Sequence, residues 1–95
     1  MESIAFRVAL RALEIAPGIC IHHSVEEGKV YLWDISHIPS GYKIGGSFPY
    51  DEAVRKSTEL SKLGDWTFRE WDGFKDAGIL QGRVEEILNR QYSEI

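Results

Sequence analysis

Ninety-five residues with 43% hydrophobic and 27% charged side chains suffice for one domain with a modest core, and exclude wholesale disorder. A net charge of −4 and a pI near 5.3 oppose general phosphate-backbone binding, which needs clustered Lys and Arg to release counterions. Charges break every apolar run, no basic-then-apolar leader opens the chain, and the lone Cys20 has no disulfide partner, so a cytoplasmic protein without a membrane span is expected.

The opening "ESIAFRVALRALEIAPG" predicts a helix over residues 2–15. Ala, Leu, Arg and Glu favour it, Ile4, Val8, Ala12 and Ile15 recur at helical spacing, and Pro17-Gly18 stops it. The alternation of Ile4, Phe6, Val8 and Leu10 leaves a strand as the alternative.

Two β-rich runs follow, "ICIHHSV" and "KVYLWDIS", joined by "EEG" with Gly28 free to take a left-handed conformation. "HIPSGYKIGG" then predicts a second hairpin, with Pro39 presetting φ and Gly41 supplying a positive φ. These turns imply that His23 faces Tyr31, Ile21 faces Trp33, Ile19 faces Ile35, His37 faces Tyr42 and Ile35 faces Ile44. Side chains alternate along a strand, so Ile19, Ile21, Val25, Trp33, Ile35, Tyr42 and Ile44 would share one apolar face.

"SFPYDEAVRKSTELSKLG" predicts a helix, with Asp51 and Glu52 at its positive end, an inner stripe of Ala53, Ser57 and Leu60, and a stop at Gly64. "DWTFREWDGFKDAG" reads as a short helix or irregular segment. In "LQGRVEEILNRQY" a last helix places Leu80, Val84, Ile87, Leu88 and Tyr92 on one face. The expected architecture is therefore a single α+β domain over 1–95: an amino-terminal helix, a three-stranded antiparallel meander, a helix packing after the third strand, and carboxy-terminal helices.

Cys20, His22 and Asp34 would share the other, open face of this sheet. They form the one candidate thiol site, with Asp34 opposite Cys20. Residues two apart on a strand lie roughly 6.5–7 Å apart at the backbone, so a thiol and its base would have to lean together. Adjacent His22 and His23 point to opposite faces and cannot easily grip one ion, and no CxxC or paired-His motif supports zinc. A packed cysteine and a solvated histidine are the favoured reading, with no catalytic residue, metal or cofactor expected. His37, before the Pro-Ser-Gly turn, is read as a hydrogen-bonding group of that turn. Gly45-Gly46-Ser47 lacks the Lys-Ser/Thr of a phosphate loop, and reads better as thin backbone beneath Trp33.

From 65 to 95 the chain has seven acids against four bases, so most of its negative excess lies there. Trp66 and Trp71 sit among Asp65, Arg69, Glu70 and Asp72. The favoured structural account of these rings is that they anchor the last helices to the sheet. The functional account makes Asp65, Trp66, Glu70, Trp71, Asp72, Glu85 and Glu86 a partner-binding surface with aromatic anchors and an acidic rim.

The span "WDISHIPSGYKIGGSFPYDEAVRKSTELSKL", through His37, Ser40, Gly41, Glu52 and Ala53, resembles a hairpin-plus-helix pattern of small phage and plasmid accessory proteins. That resemblance implies a protein-binding modulator of the anti-CRISPR or other anti-defence type, with no shared catalytic residues. The order of elements is also similar to the double-stranded-RNA-binding domain. That family docks through a basic helix start, where this chain has "YDEAVRKS".

The function expected is thus a small non-enzymatic module that occludes a surface of a larger protein, such as a basic nucleic-acid-binding complex. The alternative is a nucleic-acid binder using Lys43, Arg55, Lys56 and Lys62. Third comes a thiol enzyme using Cys20, His22 and Asp34. Homodimerisation through a sheet edge or helix face is compatible with the first two.

Overall fold

The computed structural model describes residues 12–24, 31–69 and 78–90. Within them the order is β1 (Leu13–Ala16), β2 (Ile19–His23), β3 (Trp33–His37), β4 (Lys43–Phe48), α1 (Tyr50–Ser61) and α2 (Gln81–Leu88). The strands form one antiparallel sheet in the order β1-β2-β3-β4, and the fold is α+β.

The predicted three-stranded sheet behind an amino-terminal helix is overturned, because Leu13–Ala16 is a fourth strand. Pro-Gly ends a helix, but it also turns a hairpin: Pro17 fixes one φ and Gly18 takes φ +92°, which folds β1 back on β2. Leu13 pairs with Ile21, and a bulge between Glu14 and Ala16 absorbs the irregular register. Residues 2–11 of the predicted helix lie outside the described residues. So do the "EEG" turn and the segment 70–77.

The β2–β3 register is offset by two residues from the predicted one. Ile19 faces His37, Ile21 faces Ile35 and His23 faces Trp33. The ladder continues to Ser24 N–H, which donates to the Leu32 carbonyl. An even offset leaves every side chain on its expected face. Ile19, Ile21 and Ile35 are accordingly buried together.

The second hairpin turns as predicted. His37 N–H donates to the Tyr42 carbonyl, Gly41 N–H donates to the His37 carbonyl, and Gly41 has φ +76°. Beyond the turn β4 slips: Ile35 faces Gly45 rather than Ile44, and Trp33 faces Phe48. The glycines therefore do not lie beneath Trp33. A Cβ on Gly45 would stand 2.6 Å from Leu88 Cδ2, and one on Gly46 2.7 Å from Asp34 Cγ. Gly45 admits a helix against the sheet, and Gly46 admits a carboxylate on the opposite side.

Helix α1 buries Ala53, Ser57 and Leu60 as expected, and Lys56 with them. Ser57 Oγ donates to the Ala53 carbonyl, 2.7 Å away, so the hydroxyl is satisfied inside the core. After α1, residues 65–69 are not helical. They return Trp66 to the core, where its Nε1–H donates to the Leu60 carbonyl at 2.7 Å. On α2 only Ile87 is buried, with Val84 and Leu88 packed at its edge. Leu80, predicted to share that inner face, is 68% exposed. Among the described residues no helix is long and apolar enough to cross a membrane.

Candidate functional site

The face expected to be open is buried. Cys20, His22, Asp34 and Ser36 share it, and none is more than 2% exposed. His22 pairs with Asp34 and Cys20 with Ser36, so the thiol and the carboxylate are not directly opposite. His22 Nδ1 lies 2.9 Å from the His23 carbonyl, which can only accept, so Nδ1 carries the proton. Nε2 then accepts from Ser36 Oγ at 2.8 Å. Both imidazole nitrogens are thus committed, and no lone pair remains to activate the thiol.

Burial, reinforced by the Glu14 carboxylate and only partly offset by a hydrogen bond from the Ser36 backbone, pushes the Cys20 thiol up to about 11. At neutral pH roughly one thiol in ten thousand is then ionised, the reverse of a reactive cysteine. Asp34 receives Ser47 Oγ–H on Oδ1 at 3.3 Å, and Lys43 Nζ stands 3.6 Å from Oδ2. Among the described residues Oδ2 accepts no hydrogen bond, and the nearby Lys43 ammonium compensates its charge. Among the described residues no three His, Cys, Asp or Glu side chains are grouped to hold a metal ion.

His37 is the second buried imidazole. Its Nε2–H donates to the Trp66 carbonyl at 2.8 Å, and its Nδ1 accepts from Ser40 Oγ–H at 2.6 Å. Ser40 Oγ in turn accepts from Tyr42 N–H at 3.2 Å. The ring stacks on Phe68 with centroids 4.2 Å apart. Burial lowers its pKa, against the opposing effect of the Trp66 bond. His37 thus ties the β3–β4 turn to the segment after α1, and both its nitrogens are bonded within the fold.

The acidic surface is placed only in part. Asp65 is exposed; its Oδ1 accepts from Thr67 N–H at 2.9 Å and Thr67 Oγ1–H at 2.6 Å, which holds the carboxyl below its usual range. Glu85 and Glu86 are exposed on α2, and Glu86 pairs with Arg83 and Arg90. Trp66 is 2% exposed and anchors the core, as the favoured structural account expects, and so does not stand at the contact surface of the functional account. Glu70, Trp71 and Asp72 lie outside the described residues.

The basic set does not converge either. Lys56 is buried, donates to the Leu88 carbonyl at 2.6 Å, pairs with Glu52 at 2.9 Å and lies 4.0 Å over the Phe48 ring. Lys43 is beside Asp34, which leaves Arg55 and Lys62 exposed on or just after α1.

One feature escaped the sequence reading. The end of β2, the start of β3 and the start of α1 meet at one end of the sheet and bring three rings together. His23 lies against Trp33 with centroids 4.1 Å apart, and Tyr50 meets Trp33 edge-on at 5.1 Å. Tyr50 is 46% exposed, Tyr31 two residues before Trp33 is 71% exposed, and His23 is exposed as well. This aromatic ledge is held by ring-on-ring packing and still faces solvent. The two-residue register offset assembles it, because the predicted pairing set His23 against Tyr31 instead.

No family model, curated protein or solved structure matches the chain.

Proposed function

We propose that the chain is a non-enzymatic protein-binding module that acts in the cytoplasm by covering a functional surface of a larger partner, in the manner of the phage and plasmid accessory proteins it resembles. The observation that carries this is the ledge of His23, Trp33 and Tyr50, with Tyr31 beside it. Rigid, half-exposed Trp and Tyr rings are the residues that dominate binding energy at protein interfaces. Meanwhile the groups able to do chemistry, Cys20 and His22 above all, are buried and engaged with one another's neighbours. The exposed acids Asp65, Glu85 and Glu86 add long-range negative charge, which favours a basic partner and speeds encounter with it.

A nucleic-acid binder has less support, since Lys56 is inside the fold and Lys43 serves Asp34. The test is recovery of a partner from the host, followed by its affinity for wild type, Tyr50→Ala and Glu85→Lys/Glu86→Lys. Loss of the Tyr50 ring should weaken binding about tenfold or more, and the charge reversal should chiefly slow association. A partner held equally by wild type and Tyr50→Ala would show that the ledge is not the contact surface.

A further inference from the structure

We infer that the ledge receives an arginine side chain, presented by a basic segment of the partner protein; this deepens the protein-binding reading and rests on it. The quadrupoles of aromatic faces attract a cation, Trp most strongly, and a guanidinium can also stack flat on a ring. Trp33 is flanked by His23 and met edge-on by Tyr50, so little side-chain freedom is lost when a ligand settles there.

Asp51 follows Tyr50 directly and is exposed, and Glu52 is next. The amino terminus of α1 carries about half a positive charge from its aligned peptides, which one exposed carboxylate outweighs. Glu52 already pairs with Lys56, which leaves Asp51 to accept a guanidinium fork.

The same molecule holds a precedent. Phe48 lies opposite Trp33 across β3 and β4, and its ring carries the Lys56 ammonium at 4.0 Å with Glu52 2.9 Å away. Ring, carboxylate and cation are thus already combined one strand from the ledge. At the start of α1 the exposed Tyr50, edge-on to the partly buried Trp33, is followed directly by the exposed Asp51, so ring and carboxylate adjoin in the chain and the partner's arginine would supply the cation.

The probe is a peptide of nine arginines, titrated into the isotopically labelled full chain and followed through the Trp33 indole and Tyr50 ring resonances. Saturable shifts at both rings are expected, weakened about threefold by Tyr50→Ala and by Asp51→Asn, and weaker for a peptide of nine lysines. Both substituted positions are exposed, and the amide spectrum of each variant reports that it is folded. Shifts confined to the Glu85 and Glu86 face, no shifts at all, or equal affinity in Asp51→Asn would overturn the inference. So would a ten-residue oligothymidylate that moves the same rings more strongly than the peptide does, since stacked bases would then be the natural occupant. If Tyr50→Ala loses the recovered partner while nine arginines leave the ledge unmoved, the protein-binding reading survives and the arginine assignment falls.

Discussion

Substituting Gly18 by alanine tests how the first hairpin is locked to the rest of the fold. Gly18 has φ +92°, where an alanine costs roughly 1–2 kcal/mol through its Cβ alone. Its added methyl would also overlap the Trp66 carbonyl, standing 3.1 Å from Trp66 Cβ. That carbonyl accepts the His37 Nε2–H bond, and leaving such a buried donor unmet costs about 1–3 kcal/mol. The combined loss for Gly18→Ala is therefore about 3 kcal/mol, a large part of the roughly 5–15 kcal/mol available to a small domain. Gly78 is the internal control, because its φ is +77° and nothing lies within 4 Å of an added Cβ. Gly78→Ala should show only the conformational cost, about 1–2 kcal/mol. Urea unfolding of both variants with unchanged m values gives the comparison. Equal losses would refute the argument, since Gly18 would then be no more than a turn residue.

Three further outcomes follow from the buried polar groups. The folded state holds the His37 imidazole below its ordinary value of 6.5, so on acidification the unfolded chain takes up that proton first. Stability should be level in this respect above about pH 6.5 and fall as pH drops towards the folded value; urea midpoints of His37→Gln should show a shallower slope, and identical slopes would contradict the assignment. With its thiol raised from 9.0 to about 11, Cys20 should be alkylated by iodoacetamide at pH 8 about a hundredfold more slowly in the folded chain than in urea. Comparable rates, read by mass spectrometry, would mean the thiol is neither buried nor protonated. Lys56→Met removes the donor to the Leu88 carbonyl and should cost about 2 kcal/mol, with amide exchange accelerating in α2 before the sheet. Uniform acceleration across both would show that Lys56 does not hold α2.

The parts of the fold legible in the sequence are those where one physical signal dominates. Asp51, Glu52 and the Ala53, Ser57, Leu60 stripe mark α1, and Pro39 with Gly41 marks the tight β3–β4 turn. The face shared by Ile19, Ile21 and Ile35 was also readable, because alternation survives a two-residue error in register. The first strand was not, since Leu13–Ala16 has ordinary helix formers and its Pro-Gly terminator serves a turn equally well. Local preference there yields to pairing with β2, which only the assembled sheet supplies. The site was less legible than the fold. Lys56 reads as a surface cation, yet α2 and Phe48 close over it, whereas the favoured anchoring account of Trp66 holds, since the chain after Leu63 turns the ring inward. His22 and Asp34 were placed on one face correctly, but nothing local shows that this face is covered.

Hydroxyl-radical footprinting of the chain, free and bound to its recovered partner, bears most directly on where the protein acts. Protection concentrated at Tyr31, Trp33 and Tyr50, with Leu80 less affected, is the result expected of the ledge. Undiminished oxidation of those rings in the complex, with protection confined to Leu80 and its neighbours on α2, would contradict it.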